Sequence, residues 1–530
     1  MTTVGERLLE LLEAYGVEFV FGIPGVHTLE LYRGLAASRI RHVTARHEQA
    51  AGFMADGYAR VSGKPGVCFV ITGPGLTNAA TAMAQAYADS IPLLVISGVN
   101  PAGKMNSGAG FLHELPDQRA LARSVAAFSH TVLRAEELAP VIARAFALFD
   151  AGRPRPVHIE IPVDVMGLPA AALPTSVVRV ARPVPAALEL ARAAELIGAA
   201  GTPVIVVGGG AMRATDSVRS LAERLDAPVV MTINARGALP PTHPLGIPAS
   251  PSLKPVRQLL ASADLVLALG TELGPTDFDI YEEGGLPSMP QLVRVDIDPE
   301  QLARNYPAAF GLVGDAGATC AALSRLMPQR TPGNGALRAG EARRRAREAL
   351  GAGSAQDVAL IESVRDALPD ALIVGDSTRQ VYAGNLFYAA AGPARWFNAS
   401  VGFGALGYGL PAAIGASLAA PGCPIVCLVG DGGLQFTLAE LGTAVETGVR
   451  LIVMLLNNRG YGEIRSAMLA RGIEPVGVDL HTPDFQAIAR AYGWASERLD
   501  RPEALPTVLQ RAAAQTLPTL IEIQPPTSHR

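Results

Sequence analysis

Leu428–Arg465, LVGDGGLQFTLAELGTAVETGVRLIVMLLNNRGYGEIR, contains the pattern that decides the fold of this chain. Ile425–Val429 and Leu451–Leu456 are short aliphatic runs, and each predicts a buried strand. Leu434–Glu446 lies between them and predicts a helix, so the order is strand, helix, strand. Strands connected in this way are parallel and end at the same edge of a sheet, which is where open α/β folds bind ligands.

The same alternation of short apolar runs and helical segments continues through the 530-residue chain. Further strands are predicted at Val17–Gly22, Arg41–Ala45, Val67–Thr72 and Leu93–Ser97, then at Val204–Val207, Val229–Met231, Leu265–Leu269 and Leu292–Val295, and finally at Leu372–Val374 and Thr519–Glu522. The helices predicted between the first strands include Glu48–Arg60 and Asn78–Tyr87. This pattern predicts the α/β class, with parallel sheets covered by helices.

Two segments interrupt the alternation and predict linkers between domains. Val165–Ala187 contains four prolines and little periodicity, and Met327–Arg347 is basic and poor in apolar residues. At roughly 150 residues per domain, a chain of this length has room for three domains. We therefore expect three doubly wound parallel-sheet domains, at residues 1–165, 188–328 and 350–530.

Composition and charge exclude several classes of protein. Hydrophobic residues make up 49% and charged residues 17%, which is typical of a globular enzyme and not of a disordered chain. The net charge of −4 provides no field for nucleic acid or an anionic membrane, so we expect neither as a partner. No apolar run is long enough to span a bilayer, and the amphipathic N-terminus does not match a signal peptide. The four cysteines form no CxxC pair, so we expect a reduced, cytoplasmic protein.

The polar residues after the two strands predict a site for a metal ion and phosphate. Asp431 follows the first strand and Asn458 follows the second, so a carboxylate and an amide oxygen meet at the sheet edge. Gly432 and Gly433 open the helix and leave N–H groups free for phosphate oxygens. Together with a backbone carbonyl, two diphosphate oxygens and a water, the two side chains complete the six ligands of Mg²⁺, and Ca²⁺ accepts a similar set. An asparagine pair alone is more typical of a turn cap, so the prediction depends on the whole arrangement.

Gly430-Asp431-Gly432, followed about two dozen residues later by Asn457-Asn458, resembles the thiamine diphosphate motif. The resemblance extends over nearly the whole chain, to the group of acetolactate synthases, benzoylformate decarboxylases and pyruvate decarboxylases. It implies that the domains are, in chain order, pyrimidine-binding, central and diphosphate-binding. The implied metal ligands are the side chains of Asp431 and Asn458 and the carbonyl of Gly460. The implied cofactor-binding residues are Ser377, Thr378, Gly404, Leu406, Gly430, Gly432, Gly433, Asn458 and Tyr461.

Two of these loops differ in how well they match the family. Ser377 and Thr378 lie in GDSTRQ, which departs from the usual glycine-glutamine-histidine sequence of the family. Leu406, in VGFGALGYGLPAAIG, matches the bulky apolar residue that bends the cofactor in the family, and Gly404 would present its carbonyl to the pyrimidine amine. The alternative for Leu406 is an ordinary core position, although the surrounding glycines favour close approach to a flat ligand.

Glu48, in RHEQAAGFMADGYAR, matches the glutamate that hydrogen-bonds the pyrimidine ring and activates the cofactor in the family. The alternative is a glutamate that the helix dipole favours in a first turn. The stretch GPGLTNAATAMAQAYADSIPLLVISG follows at the spacing of the family and favours the catalytic role. In the family, the first and third domains of one site come from different subunits. The resemblance therefore implies a homodimer or a dimer of dimers, with active sites at the interface.

Three segments supply candidates for substrate binding and proton transfer. Val26 and His27 occupy a turn in which decarboxylases of the family carry an acid or a hydroxyl, so His27 either replaces that group or only caps and packs. His113, in GFLHELPDQRALA, partly matches the histidine pair of pyruvate decarboxylases, and its alternative is an exposed loop histidine. Glu463 and Ile464 follow the asparagines, where side chains of the family face the substrate. We expect Val26, Glu463 and Ile464 at the substrate.

The central domain and several short stretches narrow the expected reaction. LGTELGPTDFDIYEEGG lacks both arginines of the flavin segment of acetolactate synthases, and VVGGGAMRA does not match a nicotinamide motif, so FAD is not expected.

VHTLELYRGL, RHEQAAGFMADGYAR and FLHELPDQRA most resemble the branch that decarboxylates 5-guanidino-2-oxopentanoate (2-ketoarginine) in arginine catabolism. We expect non-oxidative decarboxylation of a 2-oxo acid to an aldehyde and CO₂. Acetolactate synthase-like carboligation and decarboxylation of benzoylformate or another 2-oxo acid stay open. Carboxylates available for the guanidinium are Glu114, Asp117, Glu282, Glu283 and Glu463.

Overall fold

The computed structural model describes residues 2–278, 284–289 and 291–524. Three six-stranded sheets follow one another along the chain, and every pair of neighbouring strands in them is parallel. Helices join successive strands and cover the sheets. The predicted α/β class with three parallel-sheet domains is confirmed.

The N-terminal domain contains the first sheet. Its strands are Phe19–Gly22 (β1), Arg41–Thr44 (β2), Gly66–Val70 (β3), Leu93–Val99 (β4), Phe128–Thr131 (β5) and Val157–Pro162 (β6). Its helices are Val4–Ala14 (α1), Leu29–Arg33 (α2), Glu48–Ser62 (α3), Pro74–Asp89 (α4), Gln118–Arg123 (α5), Leu138–Ala151 (α6) and Val163–Met166 (α7).

The central domain contains the second sheet. Its strands are Val204–Val207 (β7), Val229–Met231 (β8), Gly246–Ile247 (β9), Val266–Leu269 (β10), Leu292–Asp296 (β11) and Phe310–Val313 (β12). Its helices are Ala187–Ala199 (α8), Thr215–Leu225 (α9), Lys254–Ala261 (α10), Pro275–Phe278 (α11) and Ala316–Leu326 (α12).

The C-terminal domain contains the third sheet and follows the helix Gly335–Glu348 (α13). Its strands are Leu372–Gly375 (β13), Trp396–Asn398 (β14), Ile425–Gly430 (β15), Leu451–Leu456 (β16), Ala495–Leu499 (β17) and Thr519–Ile523 (β18). Its helices are Ala352–Ala367 (α14), Arg379–Leu386 (α15), Gly409–Ala419 (α16), Asp431–Phe436 (α17), Glu440–Thr447 (α18), Gly462–Ala470 (α19), Phe485–Ala491 (α20) and Leu505–Ala514 (α21). Short 3₁₀ turns occur at Leu35–Ala37, Ala102–Lys104, Ala135–Glu137, Gly209–Ala211, Ile233–Ala235, Pro299–Leu302 and Pro502–Ala504.

The first and third sheets have the same topology. Their strand orders are β2-β1-β3-β4-β6-β5 and β14-β13-β15-β16-β18-β17, which are identical once the strands of each domain are numbered from one. The second sheet has the order β12-β11-β10-β7-β8-β9 and reverses between β7 and β10, as in doubly wound sheets with two mononucleotide-type halves. The layout shared by the first and third domains therefore does not extend to the central one.

Two sequence predictions about helices are wrong. The basic segment Met327–Arg347 was predicted as a linker, but most of it forms α13, whose buried stripe consists only of small residues, including Ala339, Ala342 and Ala346. Such a narrow alanine stripe has little apolar content and is easily missed. The predicted helix Leu434–Glu446 is divided into α17 and α18. At the break, the Thr437 hydroxyl donates to the carbonyl of Gly407 (3.1 Å), which fixes α17 against the loop before α16.

The N-terminal and C-terminal domains pack together through α3 and α16. These helices share one apolar core, and their backbones approach closely at two glycines. A Cβ on Gly415 would lie 1.9 Å from the carbonyl oxygen of Met54, and a Cβ on Gly57 would lie 2.1 Å from that of Ala412. Both positions therefore require glycine, and the contact fixes the first sheet relative to the third.

Candidate active site

A cavity of about 320 Å³ lies at the carboxyl edge of the third sheet. The strand register pairs Gly430 with Leu456, so Asp431 and Asn457 leave β15 and β16 side by side. The predicted site residues that line this cavity are Ser377, Thr378, Gly404, Leu406, Gly430, Asp431, Gly432, Gly433, Asn458, Gly460, Tyr461, Glu463 and Ile464. The structure therefore brings together every predicted site residue of the C-terminal domain. Those of the N-terminal domain are Val26, His27, Glu48 and His113, and they do not line it.

Asp431, Asn458 and Gly460 present a set of oxygens that fits a divalent cation. The amide atom of Asn458 that faces Asp431 lies 3.0 Å from Asp431 Oδ1 and 2.8 Å from the Gly460 carbonyl oxygen. If this atom is the amide nitrogen, it donates hydrogen bonds to both oxygens. If it is the amide oxygen, three oxygens converge, and only a cation would hold them together. Asp431 Oδ2 is buried without a hydrogen-bond partner, and burial raises the pKa of this carboxyl. The orphaned oxygen and the hard donor set both fit Mg²⁺ or Ca²⁺.

The glycines around Asp431 pack so closely on neighbouring residues that no larger residue fits there. A Cβ on Gly432 would lie 2.7 Å from the Tyr461 ring, and a Cβ on Gly433 would lie 2.9 Å from Asp376 Oδ1. A Cβ on Gly460 would meet the carbonyl oxygen of Val478 at 2.1 Å. The first N–H groups of α17 have no partner within the helix, so they are available to an anion beside the cation. The residues present thus fit a metal-bound diphosphate.

Asp376, which the sequence analysis did not single out, connects two loops of the cavity. Its carboxylate is buried and accepts hydrogen bonds from the N–H groups of Ser377 (2.8 Å), Gly407 (3.3 Å) and Gly409 (2.8 Å). These bonds tie the Ser377–Thr378 loop to the loop that carries Leu406. The signal that could have identified Asp376 is a Gly-Asp pair at the end of β13, like the Gly-Asp pair at the end of β15.

The loop before α16 places Leu406 at the cavity. Gly404 has φ +76 and Gly407 has φ +81, and glycine favours these left-handed conformations. They surround Leu406, whose side chain is half-buried and whose carbonyl accepts a hydrogen bond from Gln49 Nε2 (3.3 Å). Gln49 follows Glu48, so the start of α3 is anchored to this loop within the same chain.

Glu48 lies at the carboxyl edge of the first sheet, as the first residue of α3. Its side chain is 8% exposed, and Oε2 accepts a hydrogen bond from Asn78 Nδ2 (3.0 Å) in α4. Asn78 was quoted in the sequence as part of a family stretch, but its contact with Glu48 could not be inferred from spacing alone. The pair fixes the carboxylate between the first turns of α3 and α4.

His27 and His113 form a second group at the same edge. Their ring centroids are 5.5 Å apart and the rings are nearly perpendicular. His27 is 8% exposed, its Nδ1 has no hydrogen-bond partner, and burial together with the charge of His113 lowers its pKa. His113 has φ +61 in its loop, and Val26 is exposed beside His27. The structure thus places the two histidines together, which the sequence did not predict.

Three thiamine pyrophosphate enzyme family models match the chain. The N-terminal TPP binding domain matches residues 2–121, the central domain matches 190–323, and the C-terminal TPP binding domain matches 374–523. The chain belongs to the thiamine pyrophosphate enzyme family. The resemblance stated from the motifs is therefore confirmed, and so is thiamine diphosphate as the cofactor of the family. The bounds expected for the three domains contain the matched ranges but stay predictions.

Full-length relatives of this thiamine pyrophosphate enzyme include two kinds of protein. The probable 2-ketoarginine decarboxylase AruI of Pseudomonas aeruginosa is 49% identical over 98% of this chain and 94% of its own length. Acetolactate synthase isozyme 3 large subunit of Escherichia coli is 32% identical over 97% of this chain and 93% of its own length. An acetolactate synthase of Mycobacterium bovis is 34% identical over 97% of this chain and 86% of its own length.

A second cavity of this thiamine pyrophosphate enzyme, of about 720 Å³, lies between the three domains. Gly208–Gly210 and Gly270, at the ends of β7 and β10, line it together with Arg153 and Arg213. Asp277 also lines it, and burial raises the pKa of this carboxyl to about 7. The expectation that FAD does not bind the central domain stays a prediction.

Within residues 2–278, 284–289 and 291–524, no three His, Cys, Asp or Glu side chains group as a metal site would need, so the mixed oxygen set at Asp431 is the candidate. None of the helices in that part of the chain is both long and apolar enough to cross a bilayer.

Proposed function

We propose that this chain is a decarboxylase that uses thiamine diphosphate and Mg²⁺ to convert a 2-oxo acid into an aldehyde and CO₂. The proposed substrate is 5-guanidino-2-oxopentanoate (2-ketoarginine), which assigns the enzyme to arginine catabolism. One observation carries the proposal: a cavity lined by the unpaired carboxylate oxygen of Asp431, by Asn458 and by several glycines, in a chain 49% identical to a probable 2-ketoarginine decarboxylase.

The C-terminal domain would hold the cofactor and its metal. Asp431, Asn458 and the carbonyl of Gly460 would bind the cation, and the N–H groups of Gly432 and Gly433 would bind diphosphate oxygens. Ser377, Thr378, Gly430 and Tyr461 would complete the cradle, with Gly404 and Leu406 at the thiamine rings. Thiamine diphosphate, when bound, supplies the electron sink that a 2-oxo acid needs to lose its carboxylate as CO₂.

The N-terminal domain would hold and move protons. Glu48, fixed by Asn78, would share a proton with the pyrimidine ring and so activate the cofactor. His27 and His113 would supply the proton that the product carbon takes up before the aldehyde leaves. Burial lowers the pKa of His27, so near neutral pH this histidine is uncharged, and His113 is the more accessible proton donor of the two.

Among the carboxylates available for the guanidinium, Glu463 has the most suitable position. Glu114 accepts hydrogen bonds from four donors of its own loop, and Asp117 caps α5, so both are already engaged. Glu282 and Glu283 lie outside the described residues. Glu463 lines the cavity, and no hydrogen bond to its carboxylate occurs in the part of the chain that the structure describes. A guanidinium would give it a charge-assisted, bidentate partner, while Val26 and Ile464 would contact the aliphatic part of the substrate.

We further propose a homodimer, or a dimer of dimers, in which Glu48 of one subunit serves the cavity of another. Glu48 does not line the cavity of its own chain, which supports this arrangement. Large apolar side chains are also exposed near both sheet edges, as expected for a surface that a second copy covers. These side chains are Val26, Leu29, Leu112, Phe403, Phe436, Ile464 and Leu469. The cytoplasmic location stays a prediction.

A panel of 2-oxo acids tests the substrate. With thiamine diphosphate and Mg²⁺ present, 2-ketoarginine, pyruvate, benzoylformate, a branched-chain 2-oxo acid and 5-ureido-2-oxopentanoate are compared by CO₂ release. The ureido acid is a neutral isostere of 2-ketoarginine, so it isolates the contribution of the charge. We expect the highest kcat/KM with 2-ketoarginine and equal yields of CO₂ and aldehyde. A preference for a neutral acid would refute the guanidino assignment and leave the decarboxylase class standing.

Replacement of Glu463 tests the site of charge recognition. In Glu463→Gln, kcat/KM for 2-ketoarginine should fall roughly 10- to 100-fold, the usual value of a charge-assisted hydrogen bond. The value for the ureido acid should change little. Glu195→Gln, which removes the same charge from an exposed position on α8, is the matched control. Equal losses with both substrates would show that Glu463 does not recognise the guanidinium.

Carboligation is the second candidate because acetolactate synthases are among the full-length relatives. The two reactions differ in their products. A decarboxylase releases one aldehyde for each CO₂, whereas a carboligase joins the same fragment to a second carbonyl compound and gives a hydroxyketone. Product analysis with pyruvate and with 2-ketoarginine distinguishes them.

A further inference from the structure

Gln118, the first residue of α5, is buried and connects two strand ends of the first sheet. Its Oε1 accepts hydrogen bonds from the Thr72 hydroxyl and the N–H of Gly73, both at 2.8 Å, beyond the end of β3. Its Nε2 lies 3.1 Å from the carbonyl oxygen of Gly98 in β4, and within hydrogen-bond distance of Ser97 Oγ and Glu160 Oε2. Both the oxygen and the nitrogen of the Gln118 amide are therefore hydrogen-bonded.

The two glycines that Gln118 holds are the contact points of the two histidines. A Cβ on Gly73 would lie 2.4 Å from the carbonyl oxygen of His113, and a Cβ on Gly98 would lie 2.2 Å from that of His27. Each histidine backbone thus packs directly on one glycine, with no space for a side chain between them. A change in the distance between Gly73 and Gly98 would therefore move the two histidine backbones relative to each other.

We infer that Gln118 is a positioning residue for proton transfer, because it fixes the two glycines on which His27 and His113 pack. The inference rests on the proposed role of this histidine pair in product protonation. A small displacement of a proton-transfer group has a large effect on rate, whereas it leaves substrate binding largely unchanged. Gln118 itself touches neither histidine in the described hydrogen bonds, so its effect would pass through the backbone.

Gln118→Met tests the inference because methionine keeps the length of the side chain and removes every hydrogen bond. We expect kcat to fall roughly 10- to 100-fold, with KM and the affinity for thiamine diphosphate changed less than about twofold. Gln301→Met in the central domain is the matched control, since Gln301 is also a buried glutamine but lies far from the histidines in the fold. It should leave kcat unchanged.

A double-mutant comparison separates positioning from a general loss of stability. In a His113→Gln background, Gln118→Met should lower kcat little further, because the group that it positions is already absent. A purely structural role would give the same loss of kcat in both backgrounds. Thermal midpoints of all variants show whether each one is folded. The conservative variant Gln118→Asn should keep more kcat than Gln118→Met but less than wild type, because its side chain is one methylene shorter.

A readout independent of activity uses acylation of histidine by diethyl pyrocarbonate, followed for each peptide by mass spectrometry. Gln118→Met should change the rate at His113 at least about threefold while His243 and His481 keep their rates, and Gln301→Met should change none of them. An unchanged rate at His113, or an equal kcat loss in the two backgrounds, overturns the inference. If wild-type enzyme releases no CO₂ from any 2-oxo acid, the proposed function fails, and the acylation rates still test Gln118.

Discussion

The first and third sheets have the same strand order but carry different chemistry at their carboxyl edges. At the carboxyl edge of the third sheet, called the third edge below, Asp431 Oδ2 is buried without a partner, and the oxygens of Asn458 and Gly460 lie close to it. The carboxyl edge of the first sheet is called the first edge. At the first edge, the corresponding polar groups bond to one another, as Gln118 does with Thr72 and Gly73. The third edge therefore leaves a buried carboxylate oxygen unpaired, as a cation site would, whereas the first edge has a hydrogen-bonded amide beside titratable side chains, of which His27 Nδ1 is also unpaired.

Under the proposed function, this difference divides one reaction between two domains of the same topology. The helix after the second strand is α3 in the first domain and α16 in the third, and these equivalent helices pack against each other. The loop before α16 positions Leu406 at the cavity of the third sheet, whereas the start of α3 positions Glu48 at the carboxyl edge of the first. The residues proposed for cofactor binding and for proton transfer thus lie at equivalent places on two related domains.

The largest expected effect comes from removing the acid at the first edge. In Glu48→Gln the side chain keeps its size and its contact with Asn78, but it cannot exchange a proton. We expect kcat to fall by about 10²- to 10⁴-fold, the usual contribution of general acid–base catalysis, with the affinity for thiamine diphosphate little changed. Steady-state CO₂ release and calorimetric titration of the cofactor measure the two quantities. A kcat within about twofold of wild type would remove Glu48 from the mechanism.

Removing the charge at the third edge should mainly lower the affinity for the cofactor, whereas Glu48→Gln mainly lowers kcat. In Asp431→Asn the carboxylate that would bind the metal is lost, so cofactor affinity in Mg²⁺ should fall at least about 100-fold. Chelation of the metal from the wild-type enzyme should produce the same loss, and added Mg²⁺ should reverse it. Asp216→Asn, at an exposed position on α9, is the control for the change in charge. Normal cofactor affinity in Asp431→Asn would contradict the assignment of the third edge.

The two inactive variants can be combined to ask whether the edges meet within a chain or between chains. If each site takes Glu48 from one subunit and Asp431 from another, a mixed dimer of the two variants contains one intact site. Random reassociation should then restore about a quarter of the wild-type activity. If both edges of a site came from one chain, every mixture would stay inactive. Mixing after gentle dissociation, with each variant alone as control, gives the answer.

The sequence predicted strands in all three sheets where they are uninterrupted apolar runs. The bounds Val204–Val207, Val229–Met231 and Leu451–Leu456 agree with the structure, as expected for strands buried on both faces. The strands that were missed include the edge strands β5, β14 and β17, which are short or only partly buried. Strand β6 is central but was also missed, because His158 and Glu160 interrupt its apolar run.

Site residues could be predicted where local spacing in the sequence brings them together, and could not be predicted where only long-range hydrogen bonds do. Asp431 and Asn458 are recognisable because adjacent strands bring them together at a fixed spacing. Apart from the bond between Asp376 and the adjacent Ser377, Asp376 and Gln118 form hydrogen bonds to residues 20 to 46 positions away, and no local pattern encodes such contacts. Buried His158 illustrates the limit, since Ser97 and Ser129 satisfy its ring from two other strands.

The smallest expected effect concerns the contact that holds the two edges in place. In Gly415→Ala the new Cβ would lie 1.9 Å from the Met54 carbonyl oxygen, so α3 and α16 must separate. Overpacking of this kind costs about 1–3 kcal/mol, and we expect a lower thermal midpoint with cofactor binding retained.

Gly198→Ala in α8 is the matched control for this contact. No heavy atom lies within 4 Å of the Cβ that it would add, so helix propensity should make it neutral or stabilising by about 0.5–1 kcal/mol. Scanning fluorimetry at one heating rate compares the two variants with wild type. Because both changes add one methyl group to a helical glycine, opposite shifts in midpoint would assign the destabilisation to the contact between α3 and α16. Equal midpoints would mean that the two domains do not depend on this contact for their stability.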